Sequence, residues 1–138
     1  GMGKSTHARL WQDAFGTPIL NGDLNLLGLR DGKPAIFGIP WCGTSGISHT
    51  ETFPLGGITL LKRDKSNHTE ELSAPDRVLL VDQRLISHSW TQSLFEANLS
   101  LIQKIASEIL ICALYCTKDP EAAQVMRSRI DQYRETHA

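Results

Sequence analysis

The chain has 138 residues and carries 14 Lys+Arg against 15 Asp+Glu, a net charge of −1 at pH 7. One domain's length with 41% hydrophobic and 21% charged residues excludes disordered, collagenous and coiled-coil chains. The near-neutral balance lacks the electrostatic footprint of a nucleic-acid or anionic-membrane binder. No apolar run reaches the roughly 18 residues of a membrane span, and three cysteines do not make a disulfide framework. With no apolar stretch behind Lys4 to suggest a secretory signal, the expectation is a cytoplasmic globular domain.

In chain order, Lys4 to Phe15 reads as a helix: Leu10, Trp11 and Phe15 fall at helical spacing, and Gly16 is a natural stop. Residues 19–21 read as a short strand ending at Gly22-Asp23. Leu24 to Leu29 and Pro34 to Ile39 are apolar runs joined by Arg30-Asp31-Gly32-Lys33, whose Asp-Gly signals a hairpin. Pro40 to Pro54, rich in Gly, Ser and Thr, reads as an ordered surface loop. Leu55 to Leu61 is a strand, and the polar stretch Lys62 to Glu71 a solvated loop.

Ser73 is placed to cap a helix with Pro75 in its first turn, running to about Ile86. Ser89 to Ile109 is the longest helix, with Leu94, Phe95, Leu99, Ile102 and Ile105 on one side. Leu110 to Cys116 reads as a buried strand. Pro120 to about Thr136 is a last helix, capped by Thr117 or Asp119. Strands between helices define a mixed α/β fold, one sheet with flanking helices.

The strongest chemical signal is Gly3-Lys4-Ser5-Thr6, which matches the second half of the phosphate loop G-x-x-x-x-G-K-[ST]. Glycine lets the backbone approach phosphates, and the following helix N-terminus turns its amides and partial positive charge toward them. Lysine reaches the β and γ phosphates, and the next hydroxyl ligates magnesium. The first glycine of the pattern and its strand do not precede Gly3, so the expectation is the later part of a larger domain, cut within its phosphate loop. Asn21-Gly22-Asp23 puts a carboxylate at a strand end, where phosphoryl-transfer enzymes hold their metal. The same tripeptide is equally a turn.

These residues resemble the superfamily of HPr kinase/phosphatase and ATP-dependent phosphoenolpyruvate carboxykinase, in its HPr-kinase-like branch. Gly38-Ile39-Pro40-Trp41-Cys42-Gly43 is similar to that branch's Gly-x-Pro-Trp-x-Gly stretch, and residues 54–61 with Asn67 resemble its next strand and loop. The resemblance implies a single partial P-loop domain over residues 1–138. It implies that Gly3, Lys4, Ser5 and Thr6 hold the phosphates of ATP, and that Ser5 and Asp23 bind Mg. Lys4 and Asp23 are then the catalytic pair, with Trp41 and Gly43 in a loop flanking the site. The implied activity transfers phosphate to a protein serine or a small-molecule acceptor. The chain has a single acid at Gly22-Asp23 where HPr kinases carry two, which leaves open an inactive remnant that binds an anion or a partner. A second copy covering an open sheet edge is the expected oligomer.

Other candidates are weaker. Lys62, Arg63 and Lys65 form a small basic cluster suited to clamping an anion, although a solvated loop explains them as well. His7 lies a turn beyond Lys4. Cys112 and Cys116 read as core, and the five histidines show no metal-ligand spacing.

Overall fold

The computed structural model describes residues 3–138; Gly1 and Met2 lie outside the described residues. The described residues form an α/β protein with two small three-stranded sheets and four helices. Helix α1 spans Lys4–Phe15 and ends where Gly16 takes φ 66° and donates its N–H to the Gln12 carbonyl.

An antiparallel sheet follows. Strands β1 (Leu26–Arg30) and β2 (Lys33–Phe37) are joined by Asp31 at φ 52° and Gly32 at φ 75°. Two successive positive φ values make the two-residue turn that matches strand twist. Strand β3 (Thr52–Pro54) pairs with β2, so the expected surface loop closes with a strand. The expected strand at residues 19–21 contributes only a single bridge, Asn21 to Ser48. The reason is local: the Asn21 side chain accepts from the N–H groups of Asp23 and Leu24, and this turn competes with ladder pairing.

The second sheet has the order β4-β6-β5. Strand β4 (Gly57–Arg63) runs parallel to β6 (Leu110–Cys116), and β5 (His68–Glu71) pairs antiparallel with β6. The stretch expected to be a solvated loop therefore holds a strand. Its polar residues suit an edge, where charge discourages further pairing. Arg129 of the last helix also holds Glu71 at 2.6 Å. Two sheets in place of one mixed sheet correct the expected architecture.

Helix α2 (Ala74–Asp82) is capped by Ser73, whose hydroxyl oxygen accepts from Asp76 N–H. It stops four residues before the expected Ile86. Helix α3 (Gln92–Glu108) is capped by Thr91 and α4 spans Glu121–Thr136. Alternate residues of β6 feed opposite cores. Ile111 joins Leu80, Val81, Ile102 and Ile105 of α2 and α3. Leu110, Cys112 and Leu114 join Met126 of α4, with Trp11 of α1 packed against them. The mixed sheet is thus covered on both faces, and so its central strand is apolar throughout. Leu27 ties the antiparallel sheet to the α2–α3 core. Among the described residues, no helix is long and apolar enough to cross a membrane.

Candidate functional site

Gly3 sits at φ 85° and ψ 17° immediately before α1. This left-handed geometry favours glycine, because a Cβ there meets the following carbonyl. The amides of the first helical turn have no acceptor within the helix. Gly3 offers no side-chain cap, and the first turn carries no acid. The positive end of the helix is left uncompensated by its own residues.

That end lies at the carboxyl ends of the parallel pair β4 and β6. A cavity of about 220 Å³ opens there. Helix α1 contributes Gly3, Thr6, His7 and Leu10; β4 and its exit contribute Arg63 and Asp64; β6 and its exit contribute Cys116, Thr117 and Lys118. The carboxyl ends of parallel strands are where α/β sheets bind ligands, since the loops diverge there and the helix N-termini point inward.

The far wall is pinned by side chains. Asn67 accepts from the Thr117 N–H at 2.9 Å and donates to Glu121 at 2.8 Å. The Thr117 hydroxyl donates to Asp119 at 2.8 Å. The turn after β6 is thereby held against the turn before β5, which shapes the cavity where Lys118 leaves the sheet.

His7 behaves differently from a phosphate-facing cation. Its Nε2 accepts the indole N–H of Trp11 at 3.1 Å, so the ring proton sits on Nδ1. Nδ1 is buried without a hydrogen-bond partner among the described residues. Burial pushes the His7 pKa down; the ring is neutral near pH 7 and adds no positive charge. Burial also pushes the Cys116 thiol up, which keeps it protonated and unreactive.

The residues singled out in the sequence are not all brought together. Gly3 and Thr6 line the cavity, whereas Lys4 and Ser5 are exposed and do not. Asp23 is exposed and stands in a second cluster. Its Oδ2 accepts from the Ser45 hydroxyl at 3.4 Å, and a Cβ on Gly43 would meet that oxygen at 2.2 Å. Buried Asn21 organises this cluster by donating to the Trp41 carbonyl at 2.7 Å. Asp23 and the Trp41–Gly43 stretch are therefore neighbours, but Asp23 is not a lining residue of the cavity.

Of the three basic candidates, only Arg63 reaches the cavity. Lys62 points to the opposite face of the sheet, donates to the Tyr115 hydroxyl at 3.0 Å, and is held protonated by that bond. Neither Thr117 nor Asp119 caps α4 as expected, since Pro120 is its N-cap and no side chain caps it; Thr117 lines the cavity instead, beside Lys118, which the sequence does not single out for binding. Their position just after a buried strand, beside the end of a parallel neighbour, was the available signal.

Among the described residues there is no group of three His, Cys, Asp or Glu that could hold a metal ion. Ser5 and Asp23 offer one hydroxyl and one carboxylate. They stand apart: Asp23 lies with Ser45 and Gly43, and neither Ser5 nor Asp23 lines the cavity. The architecture of the described residues is α/β, with a cavity of about 220 Å³ at the ends of its parallel strands. No family model, curated protein or solved structure matches the chain.

Proposed function

We propose that this chain is a nucleotide-binding phosphotransferase of the HPr-kinase-like kind, with a phosphate-loop fold and a cytoplasmic location. The observation that carries the reading is the left-handed Gly3 leading into a helix whose uncapped first turn opens on the cavity at the ends of β4 and β6. The residue types of Gly3-Lys4-Ser5-Thr6 match the chemistry that such a place performs.

In this reading the first-turn amides and the Lys4 ammonium stabilise negative charge as it builds on the transferred phosphoryl group. Thr6 and Lys118 add donors on either side of the phosphates. Ser5 and Asp23 would hold magnesium, which when bound neutralises charge on the phosphate oxygens. Asp23 orients the acceptor hydroxyl and takes its proton. The acceptor is a protein serine or a small-molecule hydroxyl.

One observation favours the second reading, an anion-binding module without turnover: Asp23 stands with Ser45 and Gly43, outside the cavity lining. Calorimetric titration with Mg-ATP tests both. The first reading predicts saturable binding, release of ADP on adding acceptor, and at least a tenfold loss of affinity in Lys4→Ala, about 1.4 kcal/mol. Binding without ADP release supports the second. No heat up to millimolar nucleotide refutes nucleotide binding.

A further inference from the structure

The run Lys118-Asp119-Pro120-Glu121 puts a lysine beside one acid and three residues before another. A lysine's flexible four-carbon stem reaches neighbours that close, so these charges could cancel among themselves. The structure pairs them otherwise. The Thr117 hydroxyl donates to the Asp119 carboxylate at 2.8 Å, and the Asn67 amide donates to that of Glu121 at 2.8 Å. Both acids are taken by neutral donors, and neither lines the cavity at the ends of β4 and β6. Lys118 does line it, and makes no hydrogen bond or ion pair among the described residues.

On the anion-binding reading of this cavity, we propose that Asn67 is a positioning residue that keeps Lys118 unpaired and available to the anion. Its amide works at both ends. The oxygen accepts the Thr117 N–H at 2.9 Å and fixes the turn that carries the lysine. The nitrogen holds Glu121, the first residue of α4. A backbone N–H can only donate and a carboxylate only accept, so one side chain serves both by supplying an acceptor and a donor. Alanine there offers neither, and aspartate would repel Glu121. A Glu121 carboxylate without its amide donor has the Lys118 ammonium three residues back as its next partner. An ion pair between them competes with any anion that enters the cavity.

The charge balance of the cavity makes this competition matter. Arg63 and Lys118 are its cationic lining residues and Asp64 its acidic one. With the His7 ring neutral, the excess is a single positive charge. Capture of Lys118 by Glu121 cancels that excess and leaves the amides of α1 as the main attraction for an anion. The Thr117 hydroxyl protects the same excess from Asp119. It also accepts the Asp119 N–H at 3.2 Å, which holds that acid in the turn.

Calorimetric titration with two probes, Mg-ATP and inorganic pyrophosphate, tests the proposal. Lys118→Ala and Asn67→Ala are each expected to weaken binding at least tenfold. Asn67→Ala adds less than twofold in the Lys118→Ala background, because one residue acts through the other. Adding Glu121→Gln to Asn67→Ala is expected to recover at least threefold, since no carboxylate is left to capture the lysine. A merely structural role for Asn67 gives no such recovery. Should Asn67→Ala not fold, Thr117→Val keeps the backbone N–H on Asn67 and puts the same question to Asp119: binding weakens, and Asp119→Asn recovers it. Additive losses, or no recovery on removing the freed carboxylate, overturn the proposal. Mg-ATP binding that Lys118→Ala leaves unchanged overturns it too, while the nucleotide reading stands. Pyrophosphate binding with the expected pattern, in a chain that does not bind Mg-ATP, supports the proposal and refutes the nucleotide reading alone. No binding of either probe refutes both.

Discussion

Replacing Gly38 by alanine probes how tightly the segment between β2 and β3 is packed. Gly38 donates its N–H to the Glu51 carbonyl at 2.8 Å. An added Cβ would lie 1.9 Å from the His49 carbonyl oxygen and 2.8 Å from that of Glu51. Ordinary contact needs about 3.5 Å, so the backbones must part by roughly 1.5 Å. The obstacle is main chain, which cannot rotate aside as a side chain does. Overpacking costs about 1–3 kcal/mol, and a full backbone clash belongs at the top of that range. Weakening the Gly38–Glu51 bond adds about 1 kcal/mol.

A loss of about 3–4 kcal/mol corresponds to a fall in Tm of roughly 12–16 °C for a chain of this size. Gly46→Ala is the control. Gly46 has φ +68° and open space around it, so alanine there meets only backbone strain of about 1–2 kcal/mol. Urea unfolding followed by circular dichroism measures both. If Gly38→Ala lies within about 0.5 kcal/mol of Gly46→Ala, the usual range of harmless surface changes, the close approach is refuted.

Further outcomes follow from other contacts. Asn21→Ala removes the acceptor for two N–H groups and the donor to Trp41; it should cost about 2–3 kcal/mol and quicken amide exchange at Leu24, and unchanged exchange there would count against the Asn21 hub. Leu114→Ala, at a fully buried position beside Met126, should cost about 2–5 kcal/mol in urea unfolding; a cost below about 1 kcal/mol would contradict the two-faced core. His7 has its pKa lowered by burial, so below about pH 6.5 the unfolded chain takes up a proton that the folded chain does not. Its contribution is present above that pH and is lost as pH falls toward the lowered folded value. His7→Gln should flatten the urea midpoint between about pH 7 and pH 5; identical slopes in the two proteins would argue against a buried neutral ring.

The sequence shows α1 with its observed bounds, the Asp31-Gly32 hairpin, the Ser73 cap and the all-apolar β6. Each rests on short-range chemistry: positive φ at a turn, a hydroxyl beside free amides, or seven residues with no polar side chain to satisfy. It does not show β5, because a polar edge strand is defined by the ladder β6 offers it and not by its own residues. Nor does it show the end of α2. Leu85 and Ile86 look helical in isolation, but α2 closes with Arg84 and Leu85 donating to the Val81 and Asp82 carbonyls three residues back, Leu85 packs on the core and Ile86 is left in water.

The candidate site divides along the same line. Gly3 and Thr6 could be picked from the sequence because helix starts and phosphate-loop chemistry are both local. That they face Arg63, Thr117 and Lys118, and that Asp23 stands instead against Gly43 and Ser45, depends on where strands far apart in the chain end. The sequence by itself determined the bounds of α1, the hairpin turn and the buried strand β6, and which residue types could meet an anion. Only the tertiary structure decided which of them meet, because parallel pairing of β4 with β6 sets the position of every loop at that end of the sheet.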